Sequence, residues 1–92
     1  MKNNDMYQEG DSAFEVVRIH KLDTGITKAF VDVSIRDEFV IKGIRVIGGK
    51  DGLFVSMPRE VAKDGKWYNT VMPLTRQVKE ELERIVLEAY GG

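Results

Sequence analysis

Between Ile26 and Arg36 the chain alternates strictly. Ala29, Val31, Val33 and Ile35 fall on one parity, and Lys28, Phe30, Asp32, Ser34 and Arg36 on the other. Successive side chains of a strand point to opposite faces, so this period of two predicts a strand with one buried and one wet face. A helix would scatter the same residues around its circumference. One strand of this kind forces the rest of a short chain to supply its pairing partners and a cover for its apolar side.

The partners are legible on both sides. Val16, Val17 and Ile19 in Phe14–Leu22 interleave with charge and suggest a strand, followed by a turn at Asp23-Thr24-Gly25. After Asp37-Glu38 the segment Phe39–Ile47 is apolar, but Phe39 and Ile41 hold one phase while Ile44 and Val46 hold the other. Gly43 sits at the change of phase, where a bulge would reconcile the two. A glycine-rich connection at 48–52 leads to a short strand, Leu53–Met57, closed by Pro58. Residues 59–66 read as a charged connection with Asp64-Gly65 at its tip, and Trp67–Met72 as a further short strand.

The cover is the last segment. Thr75 is a good N-cap, and Val78, Leu82, Ile85, Val86 and Ala89 make one apolar stripe of a helix from Arg76 to Tyr90, with Gly91-Gly92 ending it. Arg76/Glu80, Lys79/Glu83, Glu80/Arg84 and Arg84/Glu88 are neighbours on its wet side. The fold class is α+β: an antiparallel meander of four to five strands with one C-terminal helix. Residues 1–13 are polar and aperiodic and read as a flexible arm, leaving 14–92 as the single domain.

One helix covers one face of such a sheet. The opposite face keeps Phe30, with Phe54 or the Phe39/Ile41 pair beside it, and an apolar surface of that size points to a homodimer. The alternative is that these aromatics close one compact core.

Composition narrows the chemistry. With no cysteine and the single His20, thiol nucleophiles, disulfides, zinc ribbons and histidine-rich metal sites are excluded. Asp37-Glu38 is adjacent rather than same-faced and reads as a solvated turn, so no acid–base pair, and hence no enzyme, is expected. No cofactor, metal or small-molecule substrate is implied. No run is apolar enough to span a bilayer, which points to a cytoplasmic protein. Gly43 and Gly48, followed by Gly49 and Lys50, fall one residue out of register for a phosphate-cradling loop, with no Ser or Thr after the lysine. Exposed N–H groups at Gly48, Gly49 and Gly52 leave a weak phosphate contact open beside the simpler reading of a tight connection.

Lys and Arg number 14 against 15 Asp and Glu, a net charge of −1, so a polyanion would need a local patch. The best one is Arg59–Tyr68, where Arg59, Lys63 and Lys66 flank a turn and Trp67-Tyr68 follow. Aromatics beside cations suit stacked bases and contacted phosphates. The other reading puts Trp67 in the core and leaves the lysines as ordinary turn residues. Arg45 and Lys50 are candidate additions to the patch, as are Arg76 and Lys79 in the first helix turns.

The run Phe39–Pro58, FVIKGIRVIGGKDGLFVSMP, resembles the signature of the stage V sporulation protein G (SpoVG) family of small bacterial regulators. The likeness continues through Asp64-Gly65 and Pro73, and backwards through Val16-Val17-Arg18, Thr24-Gly25 and Lys28-Ala29. It implies a strand-rich subunit dimerised through its strands. It also implies site-preferring DNA binding, RNA binding, and effects on septation, cell division, sporulation and transcription. After Met57-Pro58 the family has a small residue and two basic ones. Here Arg59 comes first and the basic character moves to Lys63 and Lys66. The competing function is a protein-interaction module that recruits a division or regulatory partner without nucleic acid, which the acidic helix favours.

Overall fold

The structure, a computed structural model, describes residues 12–23 and 25–91. The expected arm lies outside the described residues up to position 11. Ser12 and Ala13 already belong to the fold. The Ser12 hydroxyl donates to Glu81 of the helix, and the Ala13 carbonyl accepts from Arg36 N at 2.7 Å.

Strands β1 (Phe14–Lys21), β2 (Thr27–Ile35), β3 (Phe39–Gly49) and β4 (Gly52–Ser56) form one antiparallel sheet in that order. Strands β5 (Arg59–Val61) and β6 (Trp67–Asn69) make a separate hairpin, and α1 (Arg76–Tyr90) follows. The expected meander and helix are therefore present, but the charged connection at 59–66 contributes a strand of its own. The last strand stops at Asn69, where the turn toward Pro73 begins.

The alternation in β2 holds: Ala29, Val31 and Val33 are fully buried, and Phe30 is exposed. Gly43 has φ +88° and lies within a register shift that sets Val31 opposite Ile44 and Val33 opposite Ile41. The bulge turns Ile41 onto the same side as Ile44 and Val46, so Ile41 leaves the face on which sequence had set it beside Phe30. Phe39 pairs with Ile35 yet remains 71% exposed.

The helix lies across that apolar side and buries Leu82 and Val86, about 2 kcal/mol for each side chain removed from water. Leu87 and Tyr90 join the packing, whereas Ala89 stays exposed and Val78 remains partly open. The stripe is thus rotated from the sequence reading, because the helix meets both β1 and β4 across the sheet. Lys79–Glu83 at 3.3 Å and Arg84–Glu88 at 3.2 Å lace its wet side. Thr75 Oγ1 accepts from Val78 N at 3.1 Å, and Gly91 closes the last turn at φ +92°. Thr75→Ala is expected to cost about 1 kcal/mol, read as a lower urea midpoint with an unchanged slope.

The glycine-rich connection is tighter than composition suggested. β3 extends to Gly49, which pairs with Gly52, leaving only Lys50-Asp51 as the turn. Gly48 N donates to the Ile26 carbonyl at 2.8 Å, so that amide is spent on the fold.

Candidate nucleic-acid interface

The β5–β6 hairpin stands clear of the sheet and the helix, and every residue from 59 to 70 is exposed. Its turn follows from three residues. Gly65 adopts φ +81°, its N–H donates to the Ala62 carbonyl at 2.9 Å, and Ala62 N closes onto the Lys66 carbonyl at 2.8 Å. This is a three-residue connection with glycine at the left-handed position. At the base, Thr70 N and Oγ1 both donate to the Pro58 carbonyl, at 2.9 and 3.2 Å.

Asp64 organises the tip. Its carboxylate accepts from Lys66 N at 2.9 Å and from the Tyr68 hydroxyl at 2.7 Å. The Lys66 amide, then the Tyr68 hydroxyl, hold the Asp64 carboxyl below its ordinary value, and the same carboxylate raises the Tyr68 phenol. The carboxylate therefore steadies the tip above the ordinary carboxyl value, and that support is lost as pH falls through the lowered one. For Tyr68 the support is present below the ordinary phenol value and lost as pH rises through the raised one. Tyr68 is expected to ionise late in an ultraviolet titration, and Asp64→Asn to shorten the lag.

Trp67 does not enter the core. It is 61% exposed, and the Arg59 guanidinium sits 5.8 Å from its ring centroid, within cation–π range. Tyr68 is half exposed. The hairpin thus presents Arg59, Lys63, Lys66, Trp67 and Tyr68 together to solvent.

The other sequence candidates separate. Lys79 lines a groove of about 410 Å³ with Arg59, Asn69 and Phe54, although it is also paired with Glu83. Arg76 is exposed at the start of the helix. Arg45 pairs across the sheet with Phe30 and Ser56, on the face turned away from the helix. Lys50 lies in the β3–β4 turn, at the opposite end of that pairing from the point where the chain leaves for the hairpin. The structure therefore brings Arg59 and Lys79 to one groove and does not bring Lys50 to the hairpin. Phe54 and Asn69, which sequence reasoning had not assigned to this surface, complete the groove. They are recognisable only once Pro58–Thr70 closes the hairpin beside β4.

Among the described residues no group of three or more acidic, histidine or cysteine side chains could hold a metal, and no helix is long and apolar enough to cross a membrane.

Residues 13–92 match the family model described as SpoVG. The chain belongs to the SpoVG family. A relative from Lachnospira eligens named "Putative septation protein SpoVG" is 41% identical over 80% of this chain and 85% of its own length. A protein of the same name from Archaeoglobus fulgidus is also 41% identical, over 80% and 88% respectively. One from Clostridium perfringens is 36% identical over 80% and 83%. The SpoVG match begins at residue 13, next to Ser12, whose hydroxyl donates to Glu81 of the helix.

Proposed function

We propose that this SpoVG-family chain is a dimeric nucleic-acid-binding regulator acting in septation and sporulation. The biological setting comes from the name carried by its relatives. The molecular reading rests on one observation above all: Trp67 and Tyr68 face solvent beside Arg59, Lys63 and Lys66. An aromatic pair held outside the core among cations is the arrangement that binds bases and phosphates. In this reading Lys63 and Lys66 contact phosphates, while Arg59 and Lys79 act from the groove. Arg76, Arg45 and Lys50 supply charge from neighbouring surfaces.

A dry surface supports the second copy in this reading. Phe14, Ile35, Ile41, Val71, Met72, Leu74 and Val78 line a groove of about 290 Å³, and Leu74 at its rim is 94% exposed. Strand and helix residues both contribute, and a two-fold partner covers the groove while doubling the number of basic hairpins. Light scattering at micromolar concentration tests the dimer: Leu74→Glu converts it to a monomer, and a monomeric parent protein would remove that part of the proposal.

Nucleic-acid binding is tested by fluorescence anisotropy against DNA and RNA oligomers at two salt concentrations. Binding is expected to weaken steeply with salt, as counterion release requires. Retention of a protein partner after nuclease treatment, with no oligomer bound at either salt, would favour the interaction-module reading.

A further inference from the structure

At the end of the sheet where β2 turns into β3, two irregularities meet. The β1–β2 register shifts between Val16 and Arg18, so Val17 has no partner on β2 and its side chain is 54% exposed. Arg36 and Asp37, in the β2–β3 turn, both adopt left-handed backbone, with φ +54° and +58°. A tight hairpin ordinarily places asparagine or glycine there. Beyond the turn, Asp37, Glu38, Phe39 and Val40 line a notch of about 350 Å³ together with Val17 and Ser34. Phe39 is 71% and Val40 49% exposed, whereas Ser34 is nearly buried and donates to the Glu15 carbonyl at 3.4 Å.

Charge at this end is predominantly negative. The Asp37 and Glu38 carboxylates make no hydrogen bond or ion pair among the described residues. Glu15, paired with Ser34 across the strands, adds a third carboxylate, and Arg36 is the cation of the turn. Arg18 and Lys42 belong to the neighbouring cavity, which they line with Asp32.

We infer that this notch docks a basic, apolar segment of a protein partner. Val17, Phe39 and Val40 cover its apolar side chains, and Asp37 and Glu38 meet its lysines or arginines. The inference is independent of the nucleic-acid reading, because it uses the opposite charge on a different surface. Apolar side chains that are exposed as a group mark a contact surface, and a carboxylate rim selects the charge of what lies against it. The same rim repels nucleic-acid phosphates and anionic lipid headgroups. It also disfavours a second copy packed notch to notch, since a two-fold axis would bring both sets of carboxylates together.

The test uses the full chain and a synthetic ten-residue peptide alternating lysine and leucine. Two control peptides carry glutamate for lysine or serine for leucine. Fluorescence anisotropy and nitrogen-15 amide shifts are followed for the parent, Asp37→Asn/Glu38→Gln and Phe39→Thr/Val40→Thr, each checked for melting temperature and sedimentation. Asparagine suits left-handed backbone and threonine suits a strand, so both variants keep the fold. The lysine–leucine peptide is expected to bind the parent, with shifts centred on Val17, Ser34 and residues 37–40, and the controls are not. Phe39→Thr/Val40→Thr should cost about tenfold or more in affinity, and Asp37→Asn/Glu38→Gln about fivefold at low salt. Added salt should weaken the parent and leave the amide variant little changed.

No binding by the parent, or unaltered affinity in both variants, would overturn the inference. So would shifts centred instead on the helix carboxylates Glu80, Glu83 and Glu88, or equal binding of the serine control. Loss of the dimer on Phe39→Thr/Val40→Thr would identify the occupant as a second copy. Self-association of the parent that Asp37→Asn/Glu38→Gln abolishes would place a second copy's basic hairpin in the notch, and either result overturns the inference too. Lys63→Glu/Lys66→Glu should leave peptide affinity unchanged, and the notch variants should leave oligomer binding intact, so this inference and the proposed function can fail separately.

Discussion

An Ile44→Ala variant is expected to lose about 3 kcal/mol of stability and to melt on the order of 15 °C lower. Ile44 is fully buried at the crossing of β3, β2 and α1, opposite Val31 and among Val33, Val46 and Val86. Removing its branched side chain leaves a void whose walls are strands pinned by their own ladder, so collapse is limited. In a domain of this size that loss is a large fraction of the total stability. Ile26→Ala is the matched control. Its side chain is 69% exposed, and its carbonyl bond to Gly48 N survives the change, so its melting temperature should move by only a degree or two. Circular-dichroism melts at one fixed protein concentration keep any contribution from association constant. Equal shifts in the two variants would contradict the burial that defines the core.

The second large effect is on binding. Lys63→Glu/Lys66→Glu reverses two charges at the hairpin tip without touching its turn, which depends on Gly65 φ, the Ala62–Lys66 closure and the backbone bond to Asp64. Melting should therefore be unchanged. Affinity for duplex of any sequence should fall roughly a hundredfold or more at low salt. The slope of log affinity against log salt should shrink by about 2 per subunit, one for each phosphate no longer neutralised. Because phosphate contacts carry little base information, the loss should be uniform across sequences. An unaltered slope would remove the hairpin from the interface.

The two experiments probe parts of the chain that sequence revealed unequally. The period of two in β2 fixed its faces, because a pleated strand has no other way to place Ala29, Val31 and Val33 together. The helix ends were equally local: Thr75 and Gly91 satisfy orphaned backbone groups within a few residues of themselves. Gly43 was visible as a break in phase. That it returns Ile41 to the core, however, is a property of the β2–β3 register rather than of β3 alone. The position of Trp67 could not be read locally. A tryptophan beside charge is compatible with a core or a surface, and only the projection of the hairpin from the sheet decides between them.

The basic residues show the same division. Their number and spacing along the chain are sequence facts, but which of them share a surface depends on strand direction. Arg45 and Lys50 are five residues apart, yet one pairs with Phe30 on an open face and the other caps a turn. Arg59 and Lys79 are twenty apart and line one groove.

From its residues alone the chain determined its strands, its helix, its caps and the absence of thiol chemistry, since each depends on interactions spanning a few positions. Tertiary structure decided which side of the sheet the helix covers, where the hairpin points and which cations meet. Those outcomes depend on burying one apolar surface at the expense of another, and that balance exists only once distant segments are packed together.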